Sequence, residues 1–245
     1  MRRSRLLSAA LVTLIAAAVT PGALPAAAQS PTPERVEITA PDGIVLVGSY
    51  YAPPANADDP ARALLLMHHS GGQKEVWIDF IPVAQEAGYA LVTVDLRGYG
   101  ESGGETSDWQ SMEADAHLWL AWLRDQPGID PDRVSIVGSS IGGDLGLRVM
   151  VNDEALRTVV SLSPRLDVNG MTTADAMEAV AARPIFFAAG QGDALDAEAT
   201  RTLFALATGD VQARLYDHGA CCTTLFTLER DLAPAVIAWL DRTNK

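Results

Sequence analysis

The sequence is poor in basic residues, in cysteine and in aromatic side chains. It carries 18 lysines and arginines against 31 acidic residues, which gives a net charge of −13. Nucleic-acid binding and docking on anionic lipid both need basic surfaces, so this balance disfavours both functions. Two cysteines, Cys221 and Cys222, cannot staple a disulfide-rich fold. The 245 residues are nevertheless 48% hydrophobic, which is enough to bury the core of one large domain.

The N-terminus has the layout of a secretory signal peptide. Three arginines within the first five residues precede a mainly apolar stretch from 6 to 19, and small residues ending at Ala28 offer a cleavage site. A membrane anchor is the alternative, but a span needs roughly 20 apolar residues. We therefore expect a signal peptide over residues 1–28, a single domain over residues 29–245, and a secreted or periplasmic protein.

Strand patterns alternate with helix patterns in the rest of the chain. The predicted strands cover residues 35–39, 44–51, 63–67, 90–94, 134–137, 158–162, 185–189 and 212–216. The predicted helices cover residues 75–87, 112–124, 145–151, 196–207 and 224–241. Such alternation predicts a mainly parallel sheet with helices on both faces. Reactive groups in such a sheet lie on loops at the carboxyl ends of the strands.

The strongest chemical signal is the sequence Gly-Ser-Ser-Ile-Gly at residues 138–142. It follows a predicted strand and opens a predicted helix, which is the context in which G-x-S-x-G forms a nucleophile elbow. Ser140 would be strained, with its hydroxyl exposed at the positive end of the helix dipole. We expect the neighbouring Ser139 to line the substrate pocket rather than to react. An ordinary Gly-Ser turn is the alternative interpretation.

A serine nucleophile needs a base, and the base needs an orienting acid. For this elbow the chain order is serine, acid, histidine. Asp193 follows the strand at 185–189 and is the predicted acid; Asp196 is the second candidate, although we expect it to cap the next helix. His218 is the only histidine after Ser140 and is the predicted base. A turn role for Asp193 and a structural role for His218 are the alternatives.

The loop at residues 68–72, His-His-Ser-Gly-Gly, follows another predicted strand. We predict that the backbone N–H of Ser70, or alternatively of Gly71, pairs with that of Ile141 to form an oxyanion hole. His69 in this loop and Trp109 are predicted to line the substrate pocket. Adjacent histidines on an extended chain point in opposite directions, and no third ligand has suitable spacing, so we expect no metal.

These motifs, together with the sequence DLRGYGES at residues 95–102, resemble the α/β-hydrolase superfamily over residues 35–243. The resemblance implies an eight-stranded, mostly parallel sheet. It also implies acyl transfer to Ser140 and then attack of water on the acyl-enzyme, with His218 assisting both steps. The 95–102 loop of such proteins shapes the site and does no chemistry.

The chain departs from the superfamily pattern in the place where many relatives carry a lid domain. Only residues 163–184 separate the two strands concerned, which leaves room for one short helix at about 172–181. We therefore predict an open, lid-less site, as in lid-less esterases, dienelactone hydrolase-like proteins and cutinase-like enzymes.

A second departure concerns the base. Relatives commonly place His-Gly shortly before the last helix. Counting forward from Tyr216 puts His218 there, whereas counting back from the final helix puts Cys221 and Cys222 there. We favour His218, because a loop absorbs three extra residues easily and cysteine cannot replace imidazole as a base at neutral pH.

The sequence as a whole predicts an exported serine hydrolase that cleaves small or polymeric carboxylic esters. We expect a monomer that needs no cofactor and binds neither nucleic acid nor, after signal cleavage, membrane. One alternative is a catalytically degenerate binding module of the same fold, with Cys221 at the base position. The other is a peptidase or amidase of the same fold.

Overall fold

The computed structural model describes residues 32–245, and the predicted signal peptide lies outside them. The described strands are β1 (Glu34–Thr39), β2 (Val45–Tyr51), β3 (Ala61–Met67), β4 (Ala90–Val94), β5 (Ile129–Ser139), β6 (Val159–Leu162), β7 (Asp167–Val168), β8 (Met171–Thr172), β9 (Ile185–Gly190) and β10 (Val211–Tyr216). The α-helices are α1 (Ile81–Glu86), α2 (Trp109–Arg124), α3 (Ile141–Asn152), α4 (Ala174–Val180), α5 (Ala194–Leu206), α6 (Thr224–Leu228) and α7 (Leu232–Thr243).

One sheet of eight strands organises these elements, in the order β1-β2-β4-β3-β5-β6-β9-β10. The β1–β2 and β2–β4 pairs are antiparallel, and the six strands β4, β3, β5, β6, β9 and β10 are parallel to one another. All eight predicted strands are present, so the prediction of a mostly parallel α/β sheet is confirmed. The parallel arrangement brings the loops after β3, β4, β5, β6, β9 and β10 to one edge.

The central strands are apolar on both faces because helices cover both faces. Successive strand residues point to opposite sides. In β3, Leu64 and Leu66 therefore pack in the cluster that contains Trp239 of α7. Leu65 packs in the opposite cluster, which contains Trp119 of α2. An unbroken apolar run is what such a doubly covered strand requires.

Two predicted helices are interrupted, and a proline explains each interruption. The helix predicted at 75–87 is a 3-10 helix at Lys74–Trp77 followed by α1, with Pro82 in the first turn of α1. The helix predicted at 224–241 divides into α6 and α7, with Pro234 in the first turn of α7. A proline ring clashes with the carbonyl four residues earlier, so neither helix can continue through that point.

The short segment in place of a lid contains the two-stranded ribbon β7–β8 and the helix α4. The predicted short helix is therefore present at Ala174–Val180, and the ribbon is an element that the sequence pattern did not reveal. Within residues 163–184 the structure shows no additional domain. No helix among the described residues has the length and apolar character needed to cross a membrane.

Candidate active site

Ser140 occupies a sharp turn between β5 and α3. Its backbone has φ 49° and ψ −122°, and its side chain forms no capping hydrogen bond with the helix that follows. The turn is tight on both sides: a Cβ on Gly138 would overlap the backbone of Gly142, and a Cβ on Gly142 would overlap the carbonyl of Met67. The two glycines are thus required by close backbone approach, and the predicted elbow geometry is present.

Three backbone N–H groups at the start of α3 and in the 68–72 loop have no acceptor in the described part of the chain. Among residues 32–245, the amide of Ile141 at the start of α3 has no backbone or side-chain acceptor, and the same holds for the amides of Ser70 and Gly71. Gly142 lies against the end of β3, which brings the start of α3 close to the loop that contains Ser70. These amides have no partner within the described residues, and the oxyanion hole of Ile141 with Ser70 or Gly71 stays a prediction.

His68 fixes the start of the 68–72 loop. Its Nε2 accepts a hydrogen bond of 3.0 Å from the amide of Leu96, and its Nδ1 lies 2.7 Å from the carbonyl oxygen of His69. Nδ1 must therefore carry the proton and donate it to that carbonyl. Burial lowers the pKa of His68, which keeps the ring neutral in this arrangement. His68 is thus a positioning residue that links two loops at the edge of the sheet.

Asp95 joins the 68–72 region to the 95–102 loop. Its fully buried carboxylate accepts from the backbone amide of Lys74 at 2.7 Å, from Lys74 Nζ at 2.9 Å and from the amide of Glu101 at 2.9 Å. Burial lowers the pKa of Lys74, but its hydrogen bonds with Glu101, Asp95 and Glu75 outweigh this and leave the pKa raised. Hydrogen bonds through Asp95 thus hold the 95–102 loop against Lys74.

Asp193, the predicted acid, is the N-cap of α5. Its Oδ1 accepts from the amides of Leu195 at 3.1 Å and Asp196 at 3.2 Å, and its Oδ2 lies 3.6 Å from Arg165. Among the residues described, no hydrogen bond joins Asp193 to His218, although the amide of Gly192 donates to the carbonyl of His218 at 2.9 Å. The loops that carry Asp193 and His218 are thus in contact through their backbones.

Asp196 was expected to cap α5, and that expectation is wrong because Asp193 does so. Asp196 is instead buried, 1% exposed, with Oδ1 2.7 Å from Nε of Arg165. Burial raises the pKa of Asp196 to about 6, and Arg165 opposes that rise. Burial likewise raises the pKa of Asp144 in the first turn of α3, with a smaller contribution from Asp196. Two buried acidic side chains thus lie near the elbow, and one of them belongs to α3 itself.

His218, the predicted base, has partners for both ring nitrogens. Its Nε2 lies 2.9 Å from Oε1 of Glu229, and its Nδ1 accepts from the amide of Ala220 at 3.1 Å. The ring also stacks on Tyr216, with an interplanar angle of 3°. No hydrogen bond links His218 to Ser140 within residues 32–245. The role of His218 as the base therefore stays a prediction.

Cys222 is hydrogen-bonded to the residue that follows β6. Its amide donates to Oγ of Ser163 at 2.9 Å, and both residues have positive φ, 65° and 51°. Burial, reinforced by the neighbouring Cys221 thiol, raises the pKa of Cys222, while contact with the Ser139 hydroxyl opposes that rise. Cys222 is thus tied through Ser163 to the end of β6, the strand that pairs with β5.

The predicted pocket residues occupy different surroundings. Ser139 is fully buried at the end of β5, and His69 is partly exposed, with burial lowering its pKa. Trp109 begins α2 and packs against the core, with the guanidinium of Arg148 4.7 Å from its ring centroid. That these three side chains line the substrate pocket stays a prediction.

Two residues of this region were not predicted from the sequence. Ser163 follows β6 directly, so its position at the carboxyl end of a central strand was a usable signal. Glu229 falls inside the stretch that was predicted as one helix, and Pro234 was the one sign in the sequence that the helix breaks near it.

Solved structures share this fold along most of both chains. The esterase of Pyrococcus furiosus aligns with a TM-score of 0.73 and 18% identity, covering 87% of this chain and 91% of that one. The dienelactone hydrolase of Anabaena variabilis aligns with a TM-score of 0.69 and 18% identity, covering 87% of this chain and 100% of that one. At this level of identity the likeness establishes the fold.

Curated relatives match in sequence over part of their length. The thiohydrolase aneE of Aspergillus aculeatus is 31% identical over 140 residues, 56% of this chain and 43% of its own length. The quorum-quenching protein AidA of Acinetobacter baumannii is 29% identical over 134 residues, 53% of this chain and 43% of its own length. The matched part thus spans less than half of either relative.

A family model matches a larger part of the chain. The model described as X-Pro dipeptidyl-peptidase (S15 family) covers residues 29–182, a range that contains Ser140 and stops before Asp193 and His218. The match covers more than half of the chain, and the fold agrees with it. The chain therefore belongs to the X-Pro dipeptidyl-peptidase (S15) family and is an α/β hydrolase by family and by fold.

Proposed function

We propose that the protein is an exported serine hydrolase that cleaves carboxylic esters through an acyl-enzyme on Ser140. The observation that carries this proposal is the backbone of Ser140, at φ 49° and ψ −122°. A non-glycine residue in that region is strained, and such strain persists where the surrounding structure imposes it. Here the strain holds a hydroxyl without a capping partner at the N-terminus of α3.

The chemistry follows from the groups around that hydroxyl. Ser140 Oγ attacks the carbonyl carbon of the ester, and the carbonyl oxygen becomes an oxyanion. The N–H groups of Ile141 and of Ser70 or Gly71 donate to that oxygen. The alcohol leaves with the proton taken from Ser140. Water then attacks the acyl carbon, releases the acid and restores the serine hydroxyl.

In the proposed mechanism His218 carries the proton from Ser140 to the leaving alcohol. Its ring must first leave its present partners, because Nδ1 accepts from the amide of Ala220 and Nε2 therefore carries the proton shared with Glu229. The proposal thus includes a rotation of His218 away from Glu229 when substrate binds. Asp193 would then orient the ring from the neighbouring loop.

The substrate class rests on the predicted open site, which the short segment at residues 163–184 supports, and on the relatives' names. An esterase, a thiohydrolase and a dienelactone hydrolase all occur among them. The family name favours the peptidase alternative, which would use the same attack by Ser140 on an amide. A panel of 4-nitrophenyl esters graded by acyl length, together with an X-Pro 4-nitroanilide, separates these possibilities by kcat/KM.

Labelling with a fluorophosphonate tests the nucleophile directly. We expect the wild type to be labelled at Ser140, the Ser140→Ala variant to remain unlabelled, and the matched Ser139→Ala variant to keep its label. Peptide mass spectrometry identifies the site. A folded wild type that takes no label under mild conditions would contradict the proposed nucleophile.

A second candidate function is a binding module, and the pairing of His218 with Glu229 favours it. Both ring nitrogens of His218 are engaged by Glu229 and Ala220, so neither is free to accept the proton of Ser140 in this arrangement. A protein of this kind would hydrolyse no member of the panel. A binding module would also react only slowly with the fluorophosphonate, at the same rate in the wild type and in the His218→Gln variant. A hydrolase that uses His218 would instead be labelled more slowly in that variant.

A further inference from the structure

Two adjacent thiols lie at the rim of the candidate site. Both Cys221 and Cys222 are free, and their Sγ atoms are 2.8 Å apart. Side chains of neighbouring residues on an extended chain point to opposite sides. The left-handed backbone of Cys222, with φ 65°, instead allows the two sulfur atoms to approach each other.

The two thiols differ in access to solvent. Cys221 is partly exposed, whereas Cys222 is buried, 7% exposed, and its amide is tied to Oγ of Ser163. Burial raises the pKa of the Cys222 thiol, so this sulfur stays protonated and unreactive toward reagents in solution. The Cys221 sulfur can therefore react with a reagent in solution, and the Cys222 sulfur lies next to it.

We propose that Cys221 and Cys222 form a dithiol site that reacts with small-molecule disulfides of the glutathione type and closes to a vicinal disulfide. The Cys221 thiol first loses its proton to water, and the thiolate attacks one sulfur of the reagent. A mixed disulfide forms, and the first thiol leaves and takes up a proton. The Cys222 sulfur then attacks that of Cys221, loses its proton, and releases the second thiol. The reagent is reduced to two thiols, and the protein loses two hydrogen atoms.

The resulting disulfide is easily reversed. Adjacent Cα atoms are about 3.8 Å apart across a trans peptide, less than the roughly 4.4–6.8 Å usual for disulfides. A strained disulfide has a higher reduction potential and belongs to the labile, regulatory kind. We therefore expect an excess of reduced glutathione to restore both thiols.

Mass spectrometry of the peptide that contains both cysteines tests this proposal without reference to hydrolysis. The full-length protein is incubated with oxidised glutathione and then with iodoacetamide. We expect the wild-type peptide to lose the mass of two hydrogen atoms and to resist alkylation until dithiothreitol is added. The Cys222→Ser variant should stop at a stable glutathione adduct on Cys221. The Cys221→Ser variant should remain unmodified because its remaining thiol is buried.

Circular dichroism establishes that each variant is folded, and Cys222→Ala replaces Cys222→Ser if the hydroxyl prevents folding. A wild type that accumulates the glutathione adduct without closing the ring would overturn the proposal. So would a wild type that does not react, or one that forms only disulfide-linked dimers. Faster modification of Cys222 than of Cys221 would equally contradict it.

Discussion

Oε1 of Glu229 lies 2.9 Å from Nε2 of His218, and this contact decides what the predicted base can do in the observed state. Both side chains are about one quarter exposed, so water weakens the attraction between them. The pair therefore holds the His218 ring only weakly. Replacing Glu229 tests directly whether His218 acts as the base for Ser140.

We expect Glu229→Gln to raise kcat/KM on a short-chain ester, because the ring loses a charged partner that holds it away from Ser140. Partly exposed pairs contribute about 0.2–1 kcal/mol, so the rise should be at most about fivefold. His218→Gln should lower kcat/KM by roughly 10²- to 10⁴-fold, the usual contribution of a general base. Steady-state hydrolysis at pH 7.5 measures both effects.

The neighbouring pair of Arg214 and Asp231 provides the control. Asp231→Asn removes an exposed ion pair close to Glu229 in the chain without touching His218, and hydrolysis should not change. If His218→Gln retained full activity, His218 would not be the base.

Gly142, the second glycine of the elbow motif, should tolerate no side chain. In Gly142→Ala the new methyl group would overlap the carbonyl of Met67, and the start of α3 would have to move away from β3. We expect a loss of about 1–3 kcal/mol in the free energy of unfolding, typical of overpacking, together with loss of fluorophosphonate labelling. Urea titration and the labelling assay measure the two effects.

Gly128→Ala separates the overlap from the general cost of replacing glycine. Gly128 has φ +79°, and a Cβ there would meet no atom within 4 Å. This variant should lose about 1–2 kcal/mol from backbone strain alone and should keep its labelling. Retained labelling in Gly142→Ala would show that the elbow does not depend on that close approach.

The fold was predictable because each of its strands carries its own signal. The apolar run of β3 and the turn residues around it specify a strand covered on both faces, and the same holds for β4. Helix ends were less predictable. Pro234 was visible in the sequence, but whether a proline ends one helix or begins another depends on how the chain packs.

The site was predictable only where the chemistry depends on a local turn. Ser140 lies within a five-residue motif, and the structure shows its strained backbone. The direction in which His218 points depends on Glu229, eleven residues later, and on the amide of Ala220. Cap roles were also misassigned, because both Asp193 and Asp196 suit an N-cap by residue type and only packing shows which of them is buried.

Replacing Asp95 should loosen the scaffold that holds the 68–72 loop. Asp95→Asn removes the one fully buried carboxylate of the three that Lys74 contacts, while Lys74 remains nearly buried, with 7% of its side chain exposed. Breaking a buried pair on one side costs about 3–5 kcal/mol, and because Glu75 and Glu101 still contact Lys74 we expect a loss near the lower end of that range in the free energy of unfolding. Asp210→Asn, which breaks the exposed pair with Arg242, should change stability very little. Equal urea midpoints for Asp95→Asn and the wild type would contradict this account.

His68 should make the protein less stable in mild acid. Burial lowers the pKa of His68 in the folded state. Below pH about 6.5 this imidazole therefore binds a proton in the unfolded chain but not in the folded protein. The contribution of His68 is complete above that value and is lost as the pH falls through it. His68→Gln should therefore flatten the fall in urea midpoint between pH 7.5 and pH 5.5.

The matched variant His117→Gln should retain the wild-type slope. Asp196, whose pKa is raised to about 6, has the opposite effect and stabilises the folded protein as the pH falls. This effect is the same in each variant and in the wild type, so comparing their urea midpoints at every pH removes it. A slope that is unchanged in His68→Gln would show that His68 is not kept neutral by the fold.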